Sequence, residues 1–307
     1  MAAVTTTASS RRGGRFFWPL FSAPGIVWLL LLFLLPLYVV LCLAFGTLDP
    51  LFQSPVPTWN PLQWNGAQFQ YVFQHLVGAD GFFGPPIVRT VWYVLFASIG
   101  ALAISYPVAY FVSRFGGRRK GLLLALLIAP FWISYMMRML AWVNLLQTDG
   151  LINKALSLGG VFNVQVDWLN GRSIVVIMGL IYGYVPYMIL PLYAGLDRID
   201  GSLIEGARDL GASRLSTFWR VTLPMSKPAV IAALFLTSLP MVGDYFTNDL
   251  LSASPSTAMF GNLINTAIGV DSQVGKGASL LVIMFLVLLA PMLYYVRMTA
   301  RAEGDTV

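Results

Sequence analysis

Five stretches of this chain are long, apolar and free of charge: Phe16 to Leu48, Thr90 to Ser113, Gly121 to Met137, Ser173 to Leu196 and Gly277 to Val296. A sixth, residues 228–248, is broken only by Asp244. About 20 apolar residues in a row suffice to cross a bilayer as a helix, twice what a barrel strand needs. Lipid offers the backbone no partners, so each stretch has to close its own hydrogen bonds as a helix. Charged residues make up only 10% of the chain, against about 25% in soluble domains. The fold class expected is therefore an all-α membrane protein with six transmembrane helices. They are placed at about 22–46, 90–113, 121–146, 173–196, 228–248 and 277–296. The first run is too long for the core of a cleaved signal peptide. The domain expected is 22–296, between tails at 1–21 and 297–307. Gln63 to Leu76, within the loop 47–88, reads as an interfacial helix with Trp64, Phe69, Tyr71 and Phe73 at headgroup level. Residues 147–172 read as a Gly/Asn-rich loop.

Lysines and arginines fix the orientation. With the N-terminus inside, fourteen of the 19 fall on inner segments and four (Arg89, Lys154, Arg172, Lys276) on outer ones. Arg138 stays in the third span. That bias satisfies the positive-inside rule with both termini cytoplasmic. It also puts the polar loop 197–227 in the cytosol. The outer side is acidic (Asp49, Asp80, Asp149, Asp167, Asp244, Asp249, Asp271), which favours a cationic solute, although positive-inside topology yields the same asymmetry.

Four constellations could carry function. In the loop 197–227, Glu205, Arg208 and Asp209 share about one helical turn. Leu210, Leu215, Phe218 and Trp219 add apolar surface that a bare connector does not need. A helix pair turning at Gly211, with apolar anchors and a charged rim, suits a partner's groove. In the third span, Phe131, Tyr135, Arg138 and Trp142 fall on one helical face. An aromatic stripe with one cation suits a translocation path. Alternatively, Arg138 snorkels to the headgroups or pairs with an outer carboxylate. At the outer end of the fifth span, Asp244 and Asp249 flank Tyr245 and Phe246. Carboxylates beside rings can hold an ammonium group. The plain alternative is a wet helix end. The fourth span carries Tyr182, Tyr184, Tyr187, the kinking Pro186 and Pro191, and a Gly179/Gly183 notch for close packing.

Other chemistries find no support. The stretch Gly269 to Gly277 has neither the spacing nor the Ser/Thr of a P-loop. One His (His75) and one Cys (Cys42) argue against a His-rich metal site, a Ser-His-Asp triad and an internal disulfide. No catalytic or metal-binding residues and no resident cofactor are expected.

The loop pattern Glu205-Gly206-Ala207, three residues, Gly211, nine residues, Val221, Thr222, Leu223-Pro224 resembles the EAA loop of ABC-importer permeases. Gly206 replaces an alanine and Val221 an isoleucine of that pattern. Ala129-Pro130-Phe131-Trp132, Arg138 and Ala141-Trp142 look like the third span of spermidine/putrescine permeases. Val185 to Tyr193 looks like their fourth. Gly243-Asp244-Tyr245, Asp249-Leu250-Leu251 and Gly261-Asn262-Leu263-Ile264 look like their fifth span and following loop. Ser252-Ala253 stands where that family has Gly-Gly.

The resemblance implies a type I (MetI-like) permease of the bacterial inner membrane that works by alternating access. It implies a second permease as heterodimer partner, two cytosolic ABC ATPase copies holding the ATP and Mg, and an extracytoplasmic binding protein. Coupling would fall to Glu205, Ala207, Gly211, Leu223 and Pro224. The pathway would be lined by Trp132, Tyr135, Arg138, Trp142, Tyr182, Asp244, Tyr245 and Asp249. The expected solute is a polyamine, with ferric ion or sulfate as alternatives. A secondary transporter would leave the docking-type loop unexplained. A membrane-embedded enzyme would need a catalytic pair that the spans do not show, and a purely structural subunit would need neither loop nor charges.

Overall fold

A computed structural model describes residues 17–49, 51, 55–76, 81–158 and 166–304. The basic tail with Arg11, Arg12 and Arg15, and Asp80 of the acidic outer set, lie outside these residues. The first helix, α1 (Phe17–Ala44), leads into a small antiparallel hairpin, β1 (Thr47–Leu48) with β2 (Pro55–Val56), in which Thr47 faces Val56. The interfacial segment is shorter than 63–76: α2 spans Ala67–Gln74, and Pro61–Gln63 forms a separate 3-10 turn. Of its aromatic residues, Trp64 and Phe69 pack on Phe45 at the end of α1.

The second span is α3 (Gly84–Phe115). The third is not one helix. It runs as α4 (Lys120–Ile128), a 3-10 turn at Ala129–Trp132, then α5 (Tyr135–Leu146) and α6 (Leu151–Leu158), the last within the expected loop. The two halves bend by 79°. Ile133 and Ser134 adopt extended-type ψ angles, and the Ser134 hydroxyl accepts from the Met137 N–H, capping α5. A serine cap after a proline-bearing turn is a sufficient local reason for the break.

The fourth span is α7 (Ser173–Asp197). The loop that follows folds as α8 (Gly201–Asp209), α9 (Arg214–Thr217) and a π-helical turn at Phe218–Thr222. The latter runs directly into α10 (Leu223–Val242). The fifth span therefore stops before 248. Residues 243–245 break it, and α11 (Phe246–Leu251) turns off separately. After α12 (Phe260–Ile268), α13 (Val274–Gly304) carries the sixth span past 296. Among the described residues, five helices are long and apolar enough to cross a membrane, or six if the bent pair is one span.

The core is the α3–α7 contact, flanked by α10. Ala97, Ala101, Ser105 and Ala109 recur every four residues on α3 and are buried, letting α7 approach closely through Leu180, Met188 and Leu192. The Ser105 hydroxyl donates to the Val185 carbonyl at 3.1 Å, and Tyr93 Oη to Ser173 Oγ at 2.6 Å. By contrast, Ile26 to Leu35 of α1 are exposed at every position, and only the far end, with buried Cys42 and Ala44, packs on Ala278 and Val282 of α13.

Candidate functional site

A cavity of about 470 Å³ opens where α5, α7, α10 and α11 meet, lined by Tyr135, Tyr184, Tyr187, Pro240, Asp244 and Tyr245, among others. The break at 243–245 creates it. Because α10 ends there, Asp244 turns inward and is only 8% exposed, so it is not the wet helix end that its position suggested. Its Oδ1 accepts the Thr247 N–H at 2.9 Å. Its Oδ2 accepts from Thr247 Oγ1 at 2.8 Å, Tyr135 Oη at 3.0 Å and Tyr184 Oη at 3.2 Å. Tyr135 Oη and Thr247 Oγ1 also touch, so their two hydroxyl protons are shared over the three contacts with each other and Asp244. This is a carboxylate oriented by neutral donors, with no cation paired to it among the described residues.

Three glycines make the arrangement possible. A Cβ on Gly183 would lie 2.7 Å from the Tyr135 ring, and one on Gly179 would lie 2.4 Å from a Leu251 methyl and 2.7 Å from that of Thr247. The notch on α7 thus receives α5 and α11. A Cβ on Gly261 would lie 2.6 Å from the Gly243 carbonyl oxygen and 2.8 Å from that of Asp244, so α12 braces the break backbone to backbone. Asn262 completes the brace, donating to the Tyr245 carbonyl at 3.0 Å and to Asp249 Oδ1 at 2.7 Å.

The pathway residues expected from sequence therefore separate. Tyr135, Asp244 and Tyr245 meet at the cavity. Asp249 is clasped by Asn262 and does not line it. Trp132, 84% exposed, points away from the helices because the bend turns it outward. Arg138, Trp142 and Tyr182 form a second nest behind Tyr135. The Arg138 guanidinium lies 4.2 Å from the Phe131 ring centre, 5.5 Å from Tyr135 and 5.9 Å from Tyr182. Trp142 meets Tyr182 edge-on at 5.5 Å. At 6% exposure Arg138 neither snorkels nor pairs with a carboxylate among the described residues; its Nε and Nη1 are left to the aromatic faces. Tyr184 and Tyr187, noted on the fourth span but not among the expected pathway residues, also line the cavity. Tyr184 sits two positions from Tyr182, which on a helix turns it toward a different neighbour.

At the other end of the helices, α8 is capped by Asp200, whose carboxylate accepts the Ser202 N–H at 3.0 Å. Those hydrogen bonds hold its pKa below the ordinary carboxylate value. Gly211 takes φ +87°, a left-handed turn that favours glycine. Glu205, Gly211 and Pro224 are exposed, Ala207 and Leu223 half-buried. Leu203, Leu210, Leu215 and Trp219 expose apolar side chains. Phe218 points the opposite way, edge-on to Tyr106 and Tyr110 of α3, and Tyr106 Oη bonds Ser226 Oγ at 2.8 Å.

Residues 105–302, which contain the cavity and the loop, match the family of binding-protein-dependent transport system inner membrane components. The chain is 33% identical over 244 residues to the spermidine/putrescine transport system permease protein PotB of Haemophilus influenzae, covering 78% of this chain and 79% of that one. It is 36% identical to PotB of Escherichia coli K12 over 170 residues, 55% of this chain and 61% of that one, less than two thirds of that relative's length. A chain of a bacterial alginate ABC transporter crystal structure superposes with a TM-score of 0.71 at 18% identity, over 93% of this chain and 95% of that one. That likeness carries the fold.

Proposed function

Because this multi-pass membrane protein belongs to the family of binding-protein-dependent transport system inner membrane components, we propose that it is the permease subunit of an ATP-driven polyamine importer. The observation that carries the substrate class is the buried, hydrogen-bonded Asp244 facing a tyrosine-walled cavity. A carboxylate in a low-dielectric site attracts a cation far more strongly than one in water. Tyrosine faces add cation–π attraction of about 0.5–2 kcal/mol. One carboxylate suits one ammonium group. The rest of an alkyl amine can lie along Tyr187, Leu236, Pro240 and Phe246. Sulfate would need donors without a competing carboxylate, and ferric ion would need several oxygen ligands, so a polyamine fits the lining better than either. The polyamine names of the relatives point the same way.

Transport in this reading is alternating access within a heterodimer with a second permease. An extracytoplasmic binding protein delivers the solute. Two cytosolic ABC ATPase copies, which hold the ATP and Mg, seat on the two coupling loops, and the complex sits in the bacterial inner membrane. In this chain Glu205, Ala207, Gly211, Leu223 and Pro224 shape the loop, and Leu203, Leu210, Leu215 and Trp219 supply its apolar contact. Displacement of the loop would pass through Phe218 to Tyr106 and Tyr110, then along the α3–α7 contact to Tyr184. The test is ATPase activity of the co-expressed complex with its binding protein across spermidine, putrescine, ferric ion and sulfate. Stimulation by a polyamine supports the reading; stimulation only by another solute removes the substrate assignment. No co-purifying ATPase would remove the importer.

A further inference from the structure

A second, smaller cavity of about 190 Å³ lies between α8, α9 and the end of α3, lined by Tyr110, Phe115, Ile204, Arg208, Arg214 and Phe218, with two threonines. Ile204 and Arg208 are one turn apart on α8, so this face of the helix looks toward α3. No acidic residue lines the cavity. Among the described residues neither Arg208 nor Arg214 makes an ion pair; the neighbouring Lys120 and Asp197 satisfy each other at 2.5 Å. Arg114 is also committed, donating to the Ile199 and Leu196 carbonyls at 3.1 and 3.3 Å. Two guanidiniums over an aromatic floor are thus left facing the same opening.

Beside this opening, Phe111 and Phe115 are exposed on α3, and the exposed basic turn Arg118–Arg119 follows them. Aromatic residues beside a basic turn mark the cytoplasmic headgroup layer. Arginine forks match phosphate oxygens bidentately, and aromatic walls suit the ester carbons attached to them. We propose that this cavity binds a phosphate-bearing anion, placing an anionic ligand against the inner face of the coupling loop. Its occupancy would brace α8 against α3, whatever solute the permease carries.

The test titrates short-chain phosphatidylglycerol onto the full chain in detergent, beside phosphatidylcholine of equal chain length and inorganic phosphate. Saturable phosphatidylglycerol binding, weakened about fivefold by each of Arg208→Gln and Arg214→Gln, supports a lipid headgroup as the source. Inorganic phosphate binding with the same arginine dependence supports a soluble source. The proposal is overturned if no phosphate-bearing probe binds. It is equally overturned if Arg118→Gln/Arg119→Gln weakens binding as much as Arg208→Gln/Arg214→Gln does, since general surface charge then explains it.

Discussion

Gly183→Ala should cripple substrate recognition without substituting any of the cavity's own side chains. The added methyl would lie 2.7 Å from Tyr135 Cε2 and 2.9 Å from its hydroxyl. Carbon contacts relax at about 3.5–4.0 Å, so the ring has to withdraw by roughly 1 Å. The Tyr135–Asp244 hydrogen bond, now 3.0 Å, then stretches beyond hydrogen-bond range. A hydrogen bond to a charged group contributes about 1.5–3 kcal/mol, which is about 10- to 100-fold in affinity if the bond orients Asp244 for its ligand. The assay is half-saturation of spermidine-stimulated ATPase in the reconstituted complex. Tyr135→Phe should reproduce much of the loss, and the two changes together should be far from additive, because both remove the same bond. Unchanged half-saturation in Gly183→Ala, or full additivity, would refute the idea that Tyr135 orients Asp244 through the α7 notch.

Gly261→Ala should lower thermal stability by about 1–3 kcal/mol or more, since its methyl meets two backbone carbonyls rather than a movable side chain; a melting curve like wild type would contradict the brace. Gly211→Ala, forced to φ +87°, should cost about 1–2 kcal/mol locally and lower ATPase coupling while insertion into membranes stays intact. Uptake at wild-type rate in either Gly211→Trp or Glu205→Lys would refute the loop's coupling role. The depressed pKa of Asp200 means that its cap is fully present above the ordinary carboxylate pKa and is lost as pH falls through the lowered value. Amide protection of α8 should therefore hold from neutral pH down to the carboxylate range and collapse only below it. Protection lost near pH 6 would contradict the assignment.

The helical architecture was legible because lipid leaves a long uncharged run one option. The turn in the loop was equally legible, since Gly211 is a local signal that the backbone obeys; the Asp200 and Ser213 caps that start α8 and α9 emerge only in the structure. The site was legible only in part. Asp244 stood out as a carboxylate in an apolar run, but its burial depends on the break at 243–245, which Gly261 enforces from a distant segment. The resemblance implied Trp132 on the pathway; the break at 133–134, capped by Ser134, leaves it exposed instead. The stripe nevertheless converges on Arg138, because the bend folds Phe131 back over the guanidinium. Tyr182 and Tyr184 share a helix and differ only in which neighbour each meets. That is a tertiary fact, and spacing alone does not contain it.

The most direct test is the spermidine half-saturation of the ATPase-coupled complex carrying Asp244→Asn. Asparagine keeps the size and loses the charge. With an ammonium group held at Asp244, half-saturation should rise by about tenfold or more, with the complex still assembled. Half-saturation equal to wild type would mean that the cation binds elsewhere and that the tyrosine-walled cavity is not the site of recognition.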